Sequence, residues 1–585
     1  MFRLVFFLLF IDVLNAQTVP SERTVDWSSA IKIIDQHEML PYLEIFEGTL
    51  YSDGQTPNDE IFRNILKFVE PTGTEVLLPK GDFLFNEPID LPPGTILKGY
   101  NSYETRFLMD LKGSGNAFVI KGELINSDKS NITESFVKGQ NFIIVDDGSS
   151  WSSGQWFKLT IDDRDLITSD WARNSVGQIC KIAAVSGNTI FLEEALRFQA
   201  ETSDLPVVTR MDPIQNVGIE CININRLDNS SPEQTSNIYF ENAVNCWVTG
   251  VQSGNCNFGH ITISSSSTIQ VKRSYFHSAF EYGGGGRGYG VVLQFTSGEC
   301  LLENNIFRHL RHSILLQAGA NGNVISYNYS YDPYWSSVPT DAAGDMVLHG
   351  NYVFANLFEQ NICQNIVIDN SHGPNGPFNT FFRNRSEKYG ISFGSNNSPS
   401  QNIVGNEITN NLIPYSLVNY TIKGADQFTY SNNNKGKIVP LNTVDLPEKS
   451  LVYSSKPTFL SDVQWGGIGS PNTLNSINIP AYDRWKDANP LKGACVDSLV
   501  LTTNMVNDES IINCYPSPFS AELIIESKTQ LSDFKIFDGI GRIVFKIENI
   551  DQNLKINTSN WPSGFYFVHI SSGNETLKTV KLIKI

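Results

Sequence analysis

The chain has 585 residues, 41% apolar and only 18% charged, with 44 Gly and 36 Phe, so it holds ample core material and global disorder is excluded. A net charge of −18 excludes a generic nucleic-acid binder and fits a soluble exported protein, expected to be a monomer. At roughly 150 residues per domain the length allows about four domains, or one long repeat body with small additions.

The first 16 residues, MFRLVFFLLFIDVLNA, set basic Arg3 before an apolar run from Leu4 to Phe10 and end on small Ala16. That is the pattern of a secretory signal peptide over 1–16, cleaved before Gln17. The apolar run is far short of the ~20 residues that a membrane span needs, and no later segment is long or apolar enough. The eight cysteines are widely spread and form no CxxC pair, which argues against a metal cluster. Cys246 and Cys256 offer one pairing in an oxidising compartment. Several others sit in apolar strand-like runs and read as buried free thiols.

Residues 17–137 open with a helical stretch around Asn58–Val69, followed by short strands such as Glu75-Val-Leu-Leu and Thr105-Arg-Phe-Leu. Helix first and strands after is how a solenoid is capped. Residues 138–200 read as a small β insertion whose hairpin turns at Ser186-Gly-Asn. Its Asp162-Asp-Arg-Asp165 run reads as a solvated loop rather than a calcium chelator.

From 201 to 440 the chain repeats. Segments that begin apolar and end in a small or amide residue close at Asn225, Gly250, Ser274, Asn305, Asn328, Asn361, Asn384 and Asn406, at intervals of 25, 24, 31, 23, 33, 23 and 22. This is the rung length of a three-stranded β-solenoid with two expanded coils. Asn at an inward turn bonds the backbone and the Asn of the next coil, so the amides at 225, 305, 328, 361, 384 and 406 are expected to stack, with Gly250 and Ser274 as departures. Residues 441–507, rich in Pro, Gly, Ser and Asn, are expected to wrap the end of the solenoid and lead out of it. From 508 to 585 short alternating strands separated by Gly, Pro and Asn predict an Ig-like β-sandwich.

Six of the eight histidines lie between 260 and 372, the stretch that also holds both expanded coils. Expansions of a solenoid form loops on one side, where clefts develop. The strands Val291-Val-Leu-Gln294, Ile314-Leu-Leu-Gln317, Met346-Val-Leu-His349 and Ile366-Val-Ile-Asp369 align, each ending in a polar residue. Gln294, Gln317, His349 and Asp369 are therefore expected to form an outer column at roughly 5 Å spacing. Arg308, Arg311, His312, Asp341 and Asp345 precede these strands, His372 follows the last, and Arg287, Tyr289 and Trp335 lie in the expansions as walls of one groove. The window 260–320 carries a net charge of +2, which suits an anionic substrate.

Two chemistries fit this set. Eliminative cleavage of a uronate polymer needs a base for the proton α to the carboxylate and a group to neutralise the developing enolate. His349 is the candidate base, Arg308 or Arg311 with Gln317 the neutraliser, His312 a neighbour, and a calcium on Asp345 and Asp369 the substitute. Hydrolysis needs two carboxylates about 5–10 Å apart, for which Asp345 and Asp369 are the pair. A third reading, from another class, is a non-catalytic glycan-binding surface protein.

The run LPKGDFLFNEPIDLPPGTILKGYNSYETRF closely resembles the first coils of the pectate-lyase-like superfamily, over about residues 45–125. That resemblance implies a right-handed parallel β-helix acting on polysaccharide. Ser371-His-Gly373 resembles the Gly-His-Gly of polygalacturonases, but their paired-Asp and Arg-x-Lys motifs are not evident, nor is the Trp-Ile-Asp-His word of pectate lyases. The resemblance therefore implies a polysaccharide more than a particular bond. INCYPSPFSAELIIES, DFKIFDGIGRIVFK and INTSNWPSGFYFVHISSGNETLKTVKLIKI resemble, in order, the C-terminal sorting domain of type IX secretion in Bacteroidetes-type bacteria. This implies export through the periplasm to the medium or cell surface, with the secretion machinery as partner; a generic sugar-binding sandwich is the rival reading.

Overall fold

The computed structural model describes residues 18–34, 40–230, 233–334, 344–369, 371–395, 397–413, 421–460, 463–495, 512–516, 519–527, 531–538, 542–550, 553–572 and 575–584. The signal-peptide reading, Trp335 and Asp341 fall outside them.

β-branched and aromatic runs only three to six residues long cannot close a sheet within one coil, so each strand pairs with its counterpart one coil on. One coil uses Leu301–Glu303, Ile306–Arg308 and His312–Leu316. These pair parallel with Val324–Ser326, Tyr329–Tyr331 and Met346–Leu348. Among the described residues repetition yields sheets of 13 and 20 strands, parallel but for the closing Asn432–Asn434 and Lys437–Val439 pair, the latter sheet supplying two of the three faces, in a right-handed parallel β-helix. Inward side chains stack in files: Val248, Val271, Leu302, Ile325, Phe358, Phe381 and Ile403 succeed one another in register and are fully buried. Each such side chain contributes roughly 1.5–3 kcal/mol of transfer free energy.

The amide ladder runs from Asn305 through Asn328, Asn361, Asn384 and Asn406 to Asn432, each Nδ2 donating to the next Oδ1 at 2.9–3.1 Å. Ser274 starts it, its backbone N–H donating to Asn305 Oδ1. Asn225 does not belong: it lies in the strand Asn223–Arg226. Gly250 is also displaced. It holds the left-handed position (φ 62°) that Asn304, Tyr327, Gln360 and Arg383 occupy before each ladder residue. Spacing alone cannot separate that position from its neighbour. A second ladder, five residues earlier, links Asn323, Asn356, Asn379 and Gln401.

Between the strands Phe118–Lys121 and Gly218–Glu220 the chain leaves the helix and builds a six-stranded antiparallel sheet from Glu123 to Asp212, wider than the 138–200 read from sequence. Its core of Phe157, Leu159, Ile182 and Val208 continues into Ala318 and Phe354 of the coil turns. A buried Arg197–Glu299 ion pair at 2.7 Å joins the two. Asp163 is no calcium ligand here: it is buried and accepts the backbone N–H groups of Asn174, Ser175 and Val176.

Residues 441–495 run back along the outside of the 13-stranded sheet rather than only closing the end. Tyr453 donates to Glu303 and Ser450 to Glu359, both at 2.5 Å, and Arg383 donates to the carbonyls of Leu446, Ile468 and Ser470. Cys221–Cys495 is the disulfide that ties this strap down, whereas Cys246 and Cys256 are free and buried. Two antiparallel sheets of three and four strands around Phe519, Leu523, Phe534, Ile536 and Val568 form the C-terminal sandwich. No helix among the described residues is long and apolar enough to cross a membrane.

Candidate functional site

On one face of the 20-stranded sheet the strands Tyr289–Gln294, His312–Leu316, Met346–Leu348 and Ile362–Ile368 lie side by side. Alternation sends Leu293, Leu316, Leu348 and Ile368 into the core and turns the following residue outward. Backbone bonds carry the register one residue further: Gln317 N–H to Leu293 O, His349 N–H to Leu316 O and Asp369 N–H to Leu348 O. Gln294, Gln317, His349 and Asp369 therefore stand in one outer column.

Within it Gln317 Nε2 donates to Gln294 Oε1 at 2.7 Å, and His349 Nδ1 lies 2.5 Å from Asp369 Oδ2. The His349 and Asp369 side chains are only 12% and 18% exposed. Burial works to raise the Asp369 carboxyl, but the bond from His349 and those from Ser371 outweigh it and leave the pKa below the usual range. An ionised Asp369 holds the His349 proton on Nδ1 and leaves Nε2 as the basic nitrogen.

Three rings close around this dyad. His372 meets His349 edge-on at 4.7 Å between centroids, and His312 lies 5.9 Å away on the other side. His312 Nδ1 donates to Gly344 O at 2.8 Å; burial lowers its pKa to about 3, so the ring is neutral, and its buried Nε2 has no partner. Tyr289 packs on His312 at 5.1 Å. Arg311 reaches the Tyr289 hydroxyl at 3.5 Å and the Gly283 carbonyl at 2.7 Å. The two expanded coils do meet, Tyr282 stacking on Tyr334 at 4.5 Å.

Other sequence-derived residues lie elsewhere. Arg308 sits on the adjacent face, 5.6 Å over the Trp485 ring. Arg287 pairs with Glu281 in the loop. Asp345 is fully buried, its Oδ2 taken by the Gln364 and Asn365 N–H groups and its pKa raised to about 6 by burial. It cannot share a cation or a water with Asp369, because its carboxylate is turned into the wall of the coil. Among the described residues no three His, Cys, Asp or Glu side chains gather as a metal site.

The antiparallel insertion supplies a wall that sequence reading missed. Gly373 has φ 82°, and a Cβ there would stand 2.5 Å from Thr168 Cγ2, so its lack of a side chain lets the 168–172 turn close in. Ser169 Oγ then lies 3.3 Å from His372 Nδ1. Trp171, 46% exposed, is held edge-on against His372 at 5.4 Å and Phe295 at 5.9 Å. A large aromatic in a Ser/Asp/Arg-rich turn was the available signal, but nothing local says that it meets a residue 200 positions later.

Residues 513–585 match a family model described as a secretion system C-terminal sorting domain. No curated protein matches the chain in sequence. The tailspike gp61 of Pseudomonas phage phi297 is similar in structure over 93% of this chain and 95% of its own, at 12% identity and a TM-score of 0.50. The tailspike gp49 of Pseudomonas phage LKA1 covers 66% of this chain and 76% of its own at 14% identity and a TM-score of 0.44. An exopolygalacturonase from Thermotoga maritima covers 69% and 94% at 11% identity and 0.32. The likeness is one of fold. With the tail, it defines an exported right-handed parallel β-helix protein. Its type IX sorting domain directs it to the outside of the cell or its surface.

Proposed function

We propose that this protein cleaves an anionic, uronate-containing polysaccharide by β-elimination in the His349 groove. The observation that carries the reading is the His349–Asp369 dyad, set in an open outer column with its Nε2 unengaged by Asp369. His349 Nε2 takes the proton on the carbon α to the uronate carboxylate. That electron pair becomes the new ring double bond as the bond to the glycosidic oxygen at the β carbon breaks. The departing oxygen takes the Tyr289 phenolic proton, which burial keeps on the phenol up to a higher pH than usual. The Gln294–Gln317 amides donate to the carboxylate as enolate charge builds, with Arg311 adding positive potential. The hydrolytic alternative loses one carboxylate of its proposed pair, since Asp345 is buried.

The test is incubation with a panel of uronate and sulfated polysaccharides. Ultraviolet-absorbing unsaturated ends are expected. New reducing ends without that absorbance would mean hydrolysis, and retention without cleavage would mean a binder.

A further inference from the structure

The adjacent outer face carries a second polar row that the elimination chemistry does not use. The strands Asn223–Arg226, Gln252–Gly254, Tyr275–His277, Ile306–Arg308 and Tyr329–Tyr331 stack in register. Their last outward positions place Asn225, Gly254, His277, Arg308 and Tyr331 in one line, with Arg106, Asn223 and Gln252 in a parallel line two residues back. Rungs lie about 4.8 Å apart, close to the advance of one pyranose in an extended chain. A hollow of about 310 Å³ opens among Asp82, Arg106, Asn223, Asn225, Gln252 and His277, with Arg106 paired to Asp82, so the free cation of the face among the described residues is Arg308 further along. Gly254 floors it, where a Cβ would come within 3.1 Å of the His277 ring. Gln252 Nε2 lies 3.2 Å from His277 Nε2, which fixes both groups at the rim.

Further along the line the chemistry changes from amide to cation and aromatic. Arg308 is exposed, rests on the Trp485 ring beside Tyr275, and forms no ion pair among the described residues. Tyr331, 43% exposed, lies 5.5 Å from the same Trp485. Trp485 comes from the strap helix Pro480–Lys486, so the strap completes this row. Amides bond sugar hydroxyls, aromatic faces pack on the apolar side of a pyranose, and a lone guanidinium selects a carboxylate or sulfate.

We infer that this face is a second, non-catalytic binding groove for an acidic glycan chain, with Arg308 at the anionic substituent and Tyr331 and Trp485 stacking on the neighbouring ring. It does not rest on the elimination reading, because no group of the His349 column takes part.

The full-length protein is passed over immobilised polyuronate and, separately, immobilised sulfated glycan, as wild type, as Arg308→Ala/Tyr331→Ala, as His349→Ala, as these three substitutions combined, and as Arg308→Lys. The exposed pair is chosen so that the thermal midpoint stays at the wild-type value. Retention is expected to fall at least tenfold for the double variant on one or both supports, in the wild-type and the His349→Ala background alike, with Arg308→Lys retaining part of it. Loss on the polyuronate support assigns a carboxylate, and loss on the sulfated one a sulfate. Unchanged retention of the double variant on both supports, or no retention of the wild type on either, overturns the proposal.

Discussion

Two outer faces of the same solenoid each carry a polar column at the same rung spacing, and they have opposite fates. On the 13-stranded sheet Lys272, Glu303, Ser326 and Glu359 stand in register. Strap residues Tyr453 and Ser450 hydrogen-bond the two carboxylates, which are buried. On the groove face no strap among the described residues covers Gln294, Gln317, His349 and Asp369, and Trp171 stands beside them as a wall. A polar column by itself is thus not a site. What covers it decides whether it cements the fold or meets a ligand, because a buried column must be satisfied internally whereas an open one is satisfied by water until a ligand displaces it.

The comparison can be broken at several points. The largest effect is expected from His349→Ala, which should lower polysaccharide cleavage about a thousandfold without moving the thermal midpoint, as measured by initial rates and calorimetry. Asp369→Asn should follow at about a hundredfold, since an amide cannot hold the imidazole in the same charge state. Asn361→Ala should spare the groove chemistry yet cost roughly 2–4 kcal/mol in denaturant unfolding, because it leaves buried Asn328 and Asn384 each short of a partner. Trp171→Ala should raise KM about tenfold with kcat nearly constant, Trp171→Phe restoring most of it, if the insertion binds rather than reacts. The smallest effect concerns the strap. Burial raises Glu303 and Glu359 to about 7. Being raised above their unfolded values, they contribute stability that is full below about pH 4 and lost as pH rises through 7. The thermal midpoint should therefore fall by a few degrees between pH 5 and 8, and by less in Glu359→Gln.

The fold was legible where one residue type does one job repeatedly. Asn305, Asn328, Asn361, Asn384 and Asn406 are spaced by the rung and form the ladder. The reading slipped at Gly250 and Asn225, where the left-handed residue and a strand residue mimic the ladder position. The second ladder, at Asn323, Asn356 and Asn379, carries the same intervals and was open to the same count. Arg308 and Asp345 were misplaced because a turn of a few residues separates one face of the coil from the next, and from the groove from the wall.

Period and alternation along the chain determined that this is a β-helix, which residues line its core, and that Gln294, Gln317, His349 and Asp369 share a column. These are local properties, since a parallel rung repeats its own register and each side chain follows from parity. Only the tertiary structure decided which column is roofed by residues 441–495, that Cys221 meets Cys495, that Asp345 turns inward, and that Trp171 reaches His372. Those contacts join segments 150 to 274 residues apart in sequence, or hang on one turn's direction, and no pattern of neighbouring residues encodes them.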